Sequence, residues 1–214
     1  MSTPGILAIF NDARAGREAE LDAWFQSEHL QERLAVPGFL FGRRHEAIAA
    51  SSTFFNYYVV ESPDVLTSKP YLERLDNPTP MTKRIMSEVF INMNRTVCHR
   101  VARRGAFRGS YVVTARHFTA DAEIGALTAK LHELVNDTFI AGGEIWKAVD
   151  GAGAPVSEEE RLRGGDKKIK GALVVDTLRQ ADAETLAERL RRELSGADVG
   201  LYRVLCSLGC DPAG

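Results

Sequence analysis

The 214 residues carry 44% hydrophobic and 26% charged side chains with a formal net charge of −2, ordinary globular values for one large domain or two small ones. That balance argues against a broad nucleic-acid or anionic-membrane surface, since both need clustered positive charge. No apolar run approaches the roughly 20 residues that span a bilayer, and the start MSTPGILAIFNDAR lacks the segments of a signal peptide, so a cytoplasmic protein is expected.

Residues 5–11, GILAIFN, are a short apolar run and predict a strand. A helix follows over 17–35, with Leu21, Trp24, Phe25 and Glu28 near one face. Pro37-Gly38 ends it, through proline's missing donor and glycine's freedom at positive φ. Residues 39–47 and 53–61 are rich in aromatic and β-branched side chains and predict a hairpin. Ser62-Pro63 opens a helical region that Pro70, Pro78 and Pro80 divide, its last piece over 82–89, and 91–101 is a closing strand.

After the link 102–109 the same order returns. Strands are predicted at 110–118, 143–149, 168–178 and 199–208, and helices at 121–137 and 183–194. The stretch between 150 and 168, DGAGAPVSEEERLRGGDKK, is long, glycine-rich and charged, and is expected to be a mobile excursion between two hairpin strands. The fold class is therefore α+β: two tandem β-α-β-β-α-β units of ferredoxin-like type, over 1–104 and 105–214, whose sheets cover each other inside one chain. The outer helices leave a further homodimer open.

The first hundred residues resemble the dimeric α/β-barrel superfamily, and in particular its EthD-like branch. The residues that carry the likeness are ILAIFND, WFQSEHLQERLAVPGF, YLERLDNPTP and INMNRTVC. The second half is similar to the superfamily in element order alone. The resemblance implies a barrel of two four-stranded sheets with helices outside. It also implies a choice among muconolactone-isomerase-like enzymes, cofactor-independent monooxygenases, polyketide cyclases and haem-dependent relatives, a choice that fold analogy cannot make.

His29 lies beside the buried helical stripe, and an imidazole there can give or take a proton near neutral pH. Glu28 points about 100° away from it, while Arg33, one turn on, shares its side and suits a carboxylate or an enolate. The alternative at His29 is a helix-end residue bonded to a backbone carbonyl. Strand alternation puts Phe54, Asn56, Tyr58 and Val60 on one face and Phe55, Tyr57, Val59 and Glu61 on the other. Polar groups there line a cavity or bond across a sheet interface.

Asn11 is expected to cap a turn. The basic clusters at Arg43-Arg44, Arg100 with Arg103-Arg104, and Arg189 with Arg191-Arg192 are expected as solvated faces or local anion contacts. Trp24 and Trp146 are taken as core or pocket wall. The histidines at 29, 45, 99, 117 and 132 show no metal-ligand spacing, and Cys98, Cys206 and Cys210 suit neither a disulfide framework nor a redox pair.

The leading expectation is a small-molecule enzyme without metal or cofactor. It performs isomerase, cyclase or lyase chemistry on an aromatic or lactone-like ligand, with His29 moving the proton and Arg33, Arg43, Asn56 and Tyr58 binding substrate. A non-catalytic carrier or sensor, or a monooxygenase, is the alternative. Overlaying the halves at an offset of 103 puts His29 on His132 but Arg33 on Asn136, so one functional pocket is expected, in the first half.

Overall fold

Strand β1 (Gly5–Ala13) is buried on both faces: Ile6, Ala8 and Phe10 join one apolar cluster, Leu7 and Ile9 another. A strand of that kind needs a packed layer on each side, and the computed structural model supplies both. It describes residues 3–118, 122–150, 157–162 and 167–211.

After β1, a helical segment runs as α1 (Glu18–Trp24), a π-helical turn (Phe25–His29) and α2 (Leu30–Leu34). The hairpin is β2 (Phe39–Ala49) and β3 (Phe54–Val60). The prolines then divide the chain into a 3₁₀ turn (Pro63–Thr67), α3 (Lys69–Asp76) and α4 (Pro80–Glu88). Pro80 takes the first position of α4, and Thr79 caps it by accepting from the Thr82 amide at 3.0 Å. Strand β4 (Phe90–Arg104) closes the first half.

The second half contributes β5 (Tyr111–His117), α5 (Ala122–Leu134), β6 (Ile140–Ala148), α6 (Glu158–Leu162), β7 (Gly171–Thr177), α7 (Gln180–Glu193) and β8 (Asp198–Gly209). The expected helix start at Asp121 lies outside the described residues, as do 151–156 and 163–166 of the excursion. Between those two stretches the chain forms α6, which packs on α3 and α4 of the first half.

The strands form one closed barrel in the order β1-β3-β2-β8-β5-β7-β6-β4. Each half keeps its own four-stranded order, β4-β1-β3-β2 and β6-β7-β5-β8. The two sheets join by hydrogen bonds at both edges, β2 with β8 and β4 with β6, so among the described residues no strand edge of the barrel is left unpaired.

Three apolar layers result. Phe10, Phe55, Tyr57, Trp146 and Tyr202 fill the barrel interior. Leu7, Trp24, Phe25, Tyr58 and Tyr71 fill the gap between the first sheet and its helices. In the second half the corresponding gap is packed by Val113, Leu127, Leu131, Leu186 and Leu190.

Candidate functional site

The site lies in the gap between the first sheet and its helices, where polar groups are set among aromatic ones. The π-helical turn ends on His29, and such turns insert one residue into a helix and recur at functional sites. His29 is 5% exposed. Its ring stacks on Trp24, centroids 3.8 Å apart, and meets Phe25 edge-on at 5.1 Å. From the sheet, Tyr58 approaches at 6.4 Å.

Trp24 is itself anchored, its Nε1 donating to Thr82 Oγ1 at 2.9 Å and to Glu28 Oε1 at 3.1 Å. Glu28 accepts as well from the Thr79 and Thr82 hydroxyls. The carboxylate next to His29 in sequence therefore ties the helix to α4, in keeping with its expected divergence from the imidazole.

Tyr58 is positioned by the register Gly42–Tyr58–Leu7 across three strands. A Cβ on Gly42 would sit 2.7 Å from Leu30 Cδ1 and 3.0 Å from the Tyr58 ring, so glycine lets α2 and the tyrosine close on β2. The Tyr58 hydroxyl is buried and has no hydrogen-bond partner. Burial, opposed by Arg33, pushes its pKa well above the ordinary tyrosine value. The group remains an O–H donor.

Arg33 is also buried, and its Nη2 donates to Glu159 Oε1 at 2.5 Å. Burial opposes its charge, but Glu159, Tyr71 and Tyr58 outweigh that, and its pKa is raised. Its second terminal nitrogen, Nη1, has no hydrogen-bond partner. Arg95 Nη2 donates to the Tyr71 hydroxyl at 2.8 Å beside this pair. His29, Arg33, Tyr58, Tyr71, Arg95 and Glu159 share the walls of a cavity of about 30 Å³.

The other two expected ligand residues lie elsewhere. Asn56 is on the face of Tyr58 but donates to Asn11 Oδ1 at 3.2 Å, so Asn11 is a buried strand residue and not the expected turn cap. Arg43 points into the barrel, on the far side of the sheet from His29. Its Nη1 donates to Asp176 at 2.6 Å and its Nη2 to the Gly109 carbonyl.

Arg44 faces the helices, stacked on Phe25 and paired with Asp22 at 2.7 Å. The basic cluster 43–44 is thus buried and split between the two faces, not solvated. Arg100 joins Asp211 at 2.8 Å at the barrel wall. Within the barrel His45 donates from Nδ1 to the Phe55 carbonyl at 2.8 Å and stacks on the Phe55 ring. Burial, then Arg43, holds its pKa well below the ordinary value.

Glu159 is the residue that sequence reasoning missed. It is the middle of three consecutive glutamates in a stretch expected to be mobile, and nothing local marks it. His132 is exposed, outside the apolar sheet–helix layer of the second half.

Among the described residues no three His, Cys, Asp or Glu side chains cluster as metal ligands, and no helix is long and apolar enough to cross a membrane. The space beside His29 does not fit a haem. There Trp24, Phe25 and the Arg33–Glu159 pair leave only about 30 Å³, far less than a tetrapyrrole needs.

No family model matches the chain, and no curated protein matches its sequence. Solved structures do. A protein provisionally assigned as a monooxygenase, from Fusobacterium nucleatum, is similar at 8% identity and a TM-score of 0.61, covering 99% of this chain and 97% of its own. An anthrone oxidase-like protein is similar at 10% identity and 0.64, covering 99% and 95%. A protein provisionally assigned as a chlorite dismutase is similar at 12% identity and 0.56, covering 96% of each chain. The fold is a ferredoxin-like dimeric α/β-barrel, formed here by one chain. The EthD-like resemblance rests on the sequence segments ILAIFND, WFQSEHLQERLAVPGF, YLERLDNPTP and INMNRTVC alone.

Proposed function

We propose that this chain is a small-molecule enzyme in which His29 transfers a proton to or from an aromatic or lactone-like substrate. The observation that carries the reading is a buried imidazole, stacked on Trp24 and facing a cavity whose other walls hold a partnerless tyrosine hydroxyl. Proton removal from a C–H or O–H of the substrate leaves negative charge on it. Donors held in a dry site stabilise such charge without reorganising, and Tyr58 O–H and Arg33 Nη1–H are the candidates.

Glu159 already balances the charge of Arg33, so the site favours a neutral substrate over the carboxylate that the sequence expectation assigned to Arg33. Neither Arg43 nor Asn56 is given a role in this reading. Isomerisation, cyclisation and elimination all start from this proton transfer.

Oxygenation is the second reading, and its support is the monooxygenase and anthrone oxidase descriptions of proteins that share the fold over nearly their whole length. The test is deuterium exchange in D2O, followed by NMR, across a panel of phenols, activated ketones and aromatic lactones, with an oxygen electrode run in parallel. Exchange that depends on His29 supports proton transfer, and accompanying oxygen uptake selects the oxygenase. Binding without either reaction would leave a carrier.

A further inference from the structure

Two spaces flank the five-residue helix α6. The inner one is the His29 cavity of about 30 Å³, room for about one water molecule. The outer one is a cleft of about 570 Å³, within the range of pockets that hold a drug-sized ligand. Leu75 and Arg95 line both. So does the α6 segment, by different residues: Glu159 lines the inner cavity, while Glu160 and the preceding Ser157 line the cleft.

We propose that the cleft is the outer chamber of a single ligand site, and that this site takes an elongated amphipathic molecule without net charge. The proposal rests on the inner cavity being the reactive end, as read above. A substrate with an aromatic ring has too much bulk for the inner cavity alone, and the cleft shares two of its wall residues.

Leu66, Leu72, Val97 and Ile169 give the cleft an apolar surface, where the body of such a molecule is removed from water. Among the described residues the charged groups on its walls balance, with Arg95, Lys168 and Lys170 against Asp64, Asp150 and Glu160. An anion or a cation therefore finds no excess of the opposite charge there. Leu75 and Arg95, common to both walls, mark where the reactive end passes from the cleft toward His29.

The test is fluorescence titration of the full chain with N-phenyl-1-naphthylamine, an uncharged three-ring dye, and with its sulfonated analogue 1-anilinonaphthalene-8-sulfonate. One site is expected, with the neutral dye bound about tenfold more tightly. Val97→Trp and Thr67→Trp fill the cleft from a half-buried and an exposed position, and Ile9→Phe fills the inner wall. Each is expected to weaken the neutral dye about tenfold.

Thr67→Trp lies at the surface, so it reads the cleft even if Val97→Trp fails to fold. Unchanged affinity in folded Thr67→Trp overturns the proposal. So does a loss in the cleft variants with none in Ile9→Phe, which would make two separate sites. Dye binding that follows the expected pattern in a chain without His29-dependent exchange overturns the catalytic reading and leaves the two-chamber site standing.

Discussion

Glu159 meets Arg33 across 126 positions of sequence, with both side chains buried. The carboxylate comes from the second half of the chain and the guanidinium from the first. A buried pair gains little over well-packed apolar side chains, but breaking it leaves an uncompensated charge at a cost of about 3–5 kcal/mol. Glu159→Gln is accordingly expected to lower stability by roughly that amount in urea unfolding. The double variant Arg33→Met/Glu159→Met is expected to recover most of the loss. A single-variant cost under about 1 kcal/mol would mean that the pair is solvated.

Tyr58 offers a separation of function from stability. Its hydroxyl is buried without a partner, a state that costs about 1–3 kcal/mol. Tyr58→Phe is therefore expected to raise the melting temperature while lowering turnover at least about tenfold, because it removes one donor to developing charge. A fall in both would assign the hydroxyl to structure.

His29→Gln is expected to reduce turnover by about 10²–10⁴-fold with a far smaller change in stability. Loss of many degrees in melting temperature, with activity per folded molecule intact, would leave a helix-end role. The position of His29 was legible in the sequence because the helical stripe and the Pro-Gly stop are both local features. The π-helical turn was not, since one inserted residue leaves the apolar spacing almost unchanged.

Arg43 and Arg44 were also opaque. Register shifts occur on β2 between Phe39 and Phe41 and between Arg44 and His45, and the faces of a strand cannot be numbered through such irregularities. The order of strands and helices was readable from punctuation and composition. Docking of α6 was not, because it depends on a surface built by residues some eighty positions away: Glu158 N, at its start, donates to Asp76 Oδ1.

His45 predicts a pH dependence. Its folded pKa is depressed by burial and by Arg43, so below its unfolded value of about 6.5 the unfolded chain takes up a proton that the folded chain refuses. Stability from this group is complete above that pH and falls as pH drops, by at most about 1.4 kcal/mol per unit. His45→Phe is expected to flatten the decline in melting temperature between about pH 7 and 5. An unchanged slope would show that His45 protonates freely in the folded state.

Gly42 sets how closely α2 sits on the sheet. Gly42→Ala would bring a methyl group to 2.7 Å from Leu30 Cδ1 and 3.0 Å from the Tyr58 ring. Such overpacking costs about 1–3 kcal/mol, and tilting Tyr58 is expected to reduce turnover as well. Tyrosine fluorescence and urea unfolding together would detect the shift, and a wild-type profile would show that α2 yields without cost.

The two hydrogen-bonded seams of the barrel bear on how the molecule is made. Glu46 of β2 pairs with Arg203 of β8, 157 positions later. During synthesis the first half emerges with β2 and β4 as naked sheet edges, and β2 keeps its edge until β8, the last strand of this sequence, has left the ribosome. Contacts of such sequence separation form slowly, and exposed edges invite pairing with another chain. Two nascent copies that trade second halves would close barrels with the same seams, so a domain-swapped dimer is the misassembly to which this architecture is most exposed.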